Sequence, residues 1–186
     1  RKLYCRIKEI PINMKKANHD LKAGHLNYCQ ITGSKNLFEA IDLGHQPSAG
    51  ALLNKEGLHE PETYYPLRLM VCPESGLGQL DYVVDSKVLF SDTNYVYRTG
   101  ISAPLCEHLK LLTEEISLKL KLQQKSFCVD VGSNDGTLLT NFRDQGMKTL
   151  GVEPTNMAQT ARKENKIETI QEFLMEFFEI QTRYNA

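Results

Sequence analysis

Two hydrophobic patterns divide the chain. From Phe127 onward, short apolar runs alternate with amphipathic stretches at helical spacing, whereas before Ser91 the runs are brief and broken repeatedly by glycine and proline. Phe127, Cys128, Val129 and Val131 read as a buried central strand of a parallel sheet, since β-branched apolar residues suit that place. The run breaks at Gly132, and a helix opens at Thr137 with Leu138, Leu139 and Phe142 toward the core and Gly146 placed to end it. A second strand is expected over Thr149–Glu153. A helix over Met157–Lys163 follows Pro154 and Asn156. A third strand is expected over Glu168–Gln171, and Phe173–Ile180 begins a further helix or loop. This alternation predicts a doubly wound α/β sheet. Three strands leave edges and faces uncovered, so the chain is expected to stop within that domain.

Upstream, Leu105, Leu109, Leu112 and Ile116 form one apolar stripe, with Glu107, Lys110, Glu114 and Lys121 off it. Ser102 is placed to cap this helix, and Pro104 is tolerated in its first turn. Gly33, Gly44, Pro47, Gly50, Gly57, Pro61, Pro66, Pro73 and Gly76 punctuate the earlier region, which predicts a small, loop-rich β domain with a thin core. Within it, Tyr64–Val71 and Leu77–Val84 are expected to pair about Pro73-Glu74-Ser75-Gly76. Near the start, Ile7, Ile10 and Ile12 hint at a strand that Pro11 weakens. The expected organisation is a leader or tail over 1–24, the loop-rich domain over 25–91, a connector and amphipathic helix over 92–124, and the first part of the α/β domain over 125–186.

Composition narrows the function classes. The 186 residues carry a net charge of −1, which gives no electrostatic footprint for nucleic acid or an anionic membrane. No apolar run approaches a membrane span, and the opening residues lack the apolar core of a signal peptide. Five cysteines without a dense framework suit reduced thiols in the cytoplasm.

The candidate chemistry lies at the glycine turn. Cys128-Val-Asp-Val-Gly-Ser-Asn-Asp-Gly136 gives a strand, a tight turn and a helix N-terminus with backbone N–H groups expected to be free for a ligand. Asp130 at the first strand's end suits a cationic or amine-bearing ligand, and Glu153 at the second strand's end suits ribose hydroxyls. This pattern is closer to an S-adenosylmethionine turn than to a nicotinamide turn, because Asn134 occupies the second glycine's place. Asn134 and Asp135 either orient a ligand or stabilise the turn as Asx residues do. Two half-knuckles stand upstream. Cys29-Gln-Ile-Thr32 and Cys72-Pro-Glu-Ser75 each resemble C-x-x-C with the second cysteine replaced. Two thiolates with His25 or His45 are a conceivable metal set, and two buried, inert cysteines are the other reading. The five histidines show no metal-binding or triad spacing.

The motifs Cys29–Ser34, Asp42–Pro47, Tyr65–Cys72, Gly76–Leu80, Tyr95–Ser102, Asp130–Leu139 and Gly151–Pro154 together resemble the sugar C-methyltransferases. The enzymes typical of that family methylate nucleotide-linked keto-deoxysugars. The resemblance implies a small loop-rich zinc-binding domain followed by a truncated Rossmann-like class I methyltransferase sheet. It implies S-adenosylmethionine held by Asp130, Gly132, Ser133, Asn134, Gly136 and Glu153, with Tyr95, Tyr97 and Ser102 near the cofactor and sugar pocket. It makes Cys29 and Cys72 two of four zinc ligands, while Thr32 and Ser75 stand where the other two cysteines belong. The partners implied are a nucleotide-sugar substrate and the missing C-terminal half, which is expected to carry the catalytic base. The alternative is a non-catalytic remnant or scaffold.

Overall fold

The structure is a computed structural model that describes residues 22–90 and 95–174. The strand suggested by Ile7–Ile12 lies outside the described residues, as does most of the segment after Phe173. Helices and strands mix in small sheets, so the chain is α/β. It divides into two compact units. One is formed by the described residues up to Gln46 with Tyr65–Asp85. The other is formed by Pro47–Tyr64 with the described residues from Ser86 onward.

In the first unit, β1 (Gly24–His25) pairs antiparallel with β5 (Tyr82–Val83). A three-stranded sheet runs in the order β2 (Phe38–Pro47), β3 (Tyr64–Val71), β4 (Gly78–Leu80). The predicted hairpin is present, with Leu69 opposite Leu80 and Val71 opposite Gly78. Its second arm is interrupted at Asp81, because the chain leaves β3 there and turns to pair with β1. The core is thin, as expected. Every residue of β2 is exposed, and the buried apolar side chains are Leu26, Cys29 and Cys72. Polar ties compensate. The buried Gln79 amide accepts from Gln30 N–H at 3.0 Å and donates to Tyr28 C=O at 2.9 Å. Arg68 spans from Glu39 to Asp81.

The second unit contains a helical turn α1 (Ser86–Leu89) and the amphipathic helix α2 (Ala103–Lys119). A strand–helix alternation follows: β6 (Phe127–Val131), α3 (Thr137–Asp144), β7 (Lys148–Val152), α4 (Met157–Lys163) and β8 (Thr169–Ile170). The three strands are parallel in the order β6-β7-β8. Leu139, Phe142, Met147, Ala161 and Ile167 form the core, and Ile116, Leu122, Cys128 and Leu138 pack against it. In α2 the predicted stripe is half-buried, and the residue most removed from solvent is Thr113, whose hydroxyl donates to Lys110 C=O at 2.7 Å.

Two local expectations are corrected. Val129 and Val131 are 45% and 53% exposed rather than buried. Strand side chains alternate between faces, and among the described residues the helices that cover β6 lie on the Cys128 side. Ser102 holds the cap position of α2 without a side-chain cap bond. Proline has no N–H, and Pro104 stands where a cap hydroxyl finds its first donor.

Candidate functional site

The glycine turn joins β6 to α3 where two strands of the parallel sheet end. Gly132 has φ +74°, and a Cβ there would meet no atom within 4 Å. Gly136 has φ +78°, and a Cβ there would lie 3.1 Å from Ile167 and 3.4 Å from Ala161. One glycine leaves backbone open and the other lets α3 approach the core.

Four of the turn's amides are not free, contrary to the expectation from sequence. Gly132 N–H and Ser133 N–H donate to Val152 C=O at 2.8 and 3.3 Å, and Gly136 N–H donates to Ser133 C=O at 2.9 Å. Asn134 N–H donates to Glu153 Oε2 at 2.8 Å. Glu153 Oε1 accepts from Thr155 N–H at 2.9 Å and from the Thr155 hydroxyl at 2.6 Å. The buried Glu153 carboxylate therefore fastens the turn after β6 to the turn after β7. Thr155 passes the tie on, accepting Met157 N–H at the start of α4. A turn whose Gly132, Ser133, Asn134 and Gly136 N–H groups are bonded within the chain is a poor phosphate cradle.

Asn134 and Asp135 hold the segment Tyr97–Gly100. Asn134 accepts Thr99 N–H at 2.9 Å and donates to Tyr97 C=O at 3.0 Å, so both ends of its amide are engaged. Asp135 is fully buried. One of its oxygens accepts from Thr137 N–H and hydroxyl, and the other from Gly100 N–H and Arg98. Burial alone would raise its pKa, but the hydrogen bonds from Thr137, Gly100 and Arg98 outweigh burial and hold it below the ordinary carboxylate range. Arg98 also reaches Glu164 at 2.6 Å, and Asn165 donates to Asp135 C=O at 2.6 Å. Arg98 and Thr155 had no role in the sequence reading. The one available signal was Arg98's place beside Tyr97 in a connector rich in aromatics.

A cavity of about 400 Å³ opens beside this network, lined in part by Tyr95, Tyr97, Gly132, Asn134 and Glu153. Five of the residues expected to hold a ligand thus come together. Four others do not line it. Ser102 is exposed, Gly136 packs on Ile167, and Ser133 is buried with its hydroxyl unpartnered among the described residues. Asp130 is half-buried on β6. Burial, and then the charge of Glu153, raise its pKa above the ordinary range. Burial also raises the Tyr95 phenol, followed by the charges of Glu153 and Tyr97. A second cavity of about 530 Å³, lined by Ser48–Leu53, Val88, Leu89 and Val96, shares the Tyr95–Tyr97 wall.

In the first unit the half-knuckles face one another. Cys29 Sγ lies 3.3 Å from Ser75 Oγ, and Thr32 Oγ1 lies 3.8 Å from Cys72 Sγ. Hydrogen bonds from Ser75 and then Thr32 lower the Cys29 thiol to about 6. His25 instead packs edge-on against Tyr82. Among the described residues no three His, Cys, Asp or Glu side chains stand together where they could hold a metal ion.

Two comparisons with known proteins bear on this chain. Residues 29–90 match a family model described as "Putative zinc binding domain". The chain is also 28% identical over 145 residues to the C-methyltransferase NovU of Streptomyces niveus, an alignment covering 78% of this chain and 34% of that protein. The chain thus spans about a third of the length of the curated relative it matches. Together these matches make the chain similar to a protein named a C-methyltransferase, with a stretch similar to a family of zinc-binding domains. The donor set at the paired knuckles does not fit zinc. Structural zinc takes four thiolate or imidazole ligands in most sites, and two of the four places here hold neutral hydroxyls. Among the described residues, no helix is long and apolar enough to cross a membrane.

Proposed function

We propose that the chain is the N-terminal portion of an S-adenosylmethionine-dependent C-methyltransferase acting on a nucleotide-linked keto-deoxysugar. Its strand–helix alternation is then the first part of a Rossmann-like sheet. The observation that carries this reading is the cavity at the strand ends, with Gly132 uncovered on it and Glu153 at its edge. The donors and walls fit the cofactor. Glu153 Oε2 accepts one hydrogen bond within the chain, and a carboxylate oxygen has a second lone pair to offer a ribose hydroxyl. Val131, Val152 and Phe173 give an apolar wall. The inward-turned amides of Gly132, Ser133 and Asn134 suit a ligand that brings no pyrophosphate to the turn, which disfavours a nicotinamide dinucleotide.

Bound there, the cofactor supplies an electrophilic methyl on a sulfonium. The chain's own residues position and enclose. Asn134 and Asp135 hold the segment carrying Tyr95 and Tyr97 against the turn, and the two rings line both the cofactor cavity and the second cavity, where the sugar is expected. The base that removes the sugar proton is expected from the rest of the protein, the other partner in this proposal. The buried thiols Cys29 and Cys72 suit a reducing, cytoplasmic setting.

The test is calorimetric titration of S-adenosylhomocysteine, with NAD as control. Saturable binding of the thioether alone is the expected result, and preferential binding of NAD would sink the proposal. Glu153→Ala is expected to weaken binding by roughly 1–3 kcal/mol. Unchanged affinity would remove Glu153 from the site. The replaced knuckle cysteines favour a second reading, a non-catalytic remnant or scaffold. A well-folded chain that binds neither ligand would favour it.

A further inference from the structure

The two half-knuckles are built alike. Cys29 N–H donates to Ser34 C=O at 2.7 Å, and Cys72 N–H donates to Leu77 C=O at 3.0 Å. Gly33 N–H returns to Cys29 C=O, and Gly76 N–H to Cys72 C=O, each at 2.8 Å. Thr32 Oγ1 accepts Ser34 N–H at 3.2 Å, and Ser75 Oγ accepts Leu77 N–H at 3.3 Å. Both glycines have φ +72°. Each turn thus presents a thiol and a hydroxyl at matching places.

The side chains cross from one turn to the other. The Cys29 thiol meets the Ser75 hydroxyl, and the Thr32 hydroxyl meets the Cys72 thiol. At the rim, the Ser34 hydroxyl donates to Glu74 Oε1 at 2.7 Å. Both sulfurs are fully buried. A metal between two thiolates and two neutral hydroxyls lacks the donors zinc prefers, whereas thiol–hydroxyl pairs satisfy all four groups without an ion.

We propose that Cys29, Thr32, Cys72 and Ser75 form a metal-free brace, the hydroxyls standing at two ligand places of a zinc knuckle pair, so that the first unit folds without zinc. The inference is independent of the cofactor site. It departs from what the family model's description implies for residues 29–90.

The experiment is zinc analysis and thermal unfolding of the full 186-residue chain produced with excess zinc. The chain is expected to carry far less than about one equivalent of zinc, and a strong chelator is expected to leave its melting temperature unmoved. Thr32→Val with Ser75→Ala is expected to lower that temperature by roughly 4 °C or more, with no dependence on metal. Thr32→Cys with Ser75→Cys is expected to gain about one equivalent of zinc and to melt lower once chelated. Stoichiometric zinc in the unaltered chain, removed with loss of stability, would overturn the proposal. So would unchanged melting of the Val/Ala chain, or a folded double-cysteine chain that takes no zinc.

Discussion

Each unit joins two turns, but by different means. In the second unit the turns after β6 and β7 sit on an apolar core of Leu139, Phe142, Met147, Ala161 and Ile167, and the buried Glu153 carboxylate fastens them together while Asp135 holds Tyr97–Gly100. In the first unit the paired knuckles have little core beneath them and depend on pairs between sulfur, hydroxyl and amide, with Arg68 bridging Glu39 and Asp81 nearby in the sheet. The contrast shows how hydrogen bonds divide the work with burial. Where a core fixes the frame, charged groups can be buried and used to place a particular segment. Where the core is thin, polar side chains must hold the frame itself.

Mutations at four positions and one titration test that contrast. The largest effect is expected at Asp135. Asp135→Ala leaves Arg98, Thr137 and the Gly100 N–H without their buried acceptor, and should cost about 3–5 kcal/mol in urea unfolding. A loss below about 1 kcal/mol would show that the core, not the carboxylate, places Tyr97–Gly100. Gly136→Ala combines a left-handed backbone with crowding against Ile167, and a loss of roughly 1–3 kcal/mol is expected. In the first unit, Gln79→Ala removes both ties to Tyr28 and Gln30. A loss of about 2 kcal/mol is expected there, because two part-buried hydrogen bonds are lost together. A neutral result would mean that the thin core suffices. The expected weakening of S-adenosylhomocysteine binding in Glu153→Ala must be compared with that variant's own unfolding, since Glu153 also fastens the two turns.

The smallest effect is a pH drift with two opposing parts. Asp135 is depressed in the folded chain, so its contribution is fully present above its unfolded pKa and is lost as pH falls through the lowered folded value. Asp130 is raised, so its contribution is present below its unfolded pKa and is lost as pH rises through the raised folded value. Unfolding followed from pH 2 to 7 should show the acid-side loss vanish in Asp135→Asn and the rise-side loss vanish in Asp130→Asn. Profiles unchanged by these substitutions would count against both assignments.

Local pattern carried much of this protein. The spacing of Leu138, Leu139 and Phe142, the breaks at Gly132 and Gly146, and the alternation after Phe127 were enough to place three strands and two helices within a residue or two. The helix after Ser102 and the turn of the hairpin about Pro73–Gly76 were legible too, but the hairpin's second arm ends at Leu80 rather than Val84. Backbone conformation and side-chain period are properties of neighbouring residues, so the sequence can be read for them directly. Tertiary structure alone decided where polar groups found partners. Asn134 was open between ligand contact and turn support, and its amide is engaged by Thr99 and Tyr97, far away in the chain. The turn's free N–H groups disappeared into Val152 and Glu153. Val129 and Val131 have the composition of a buried strand, but no described helix covers their face. Thr32 and Ser75 looked like lost ligands until each met the other turn's thiol. A hydrogen bond's partner, or a strand's cover, depends on which distant segments the core brings within about 3 Å, and no local pattern encodes that distance.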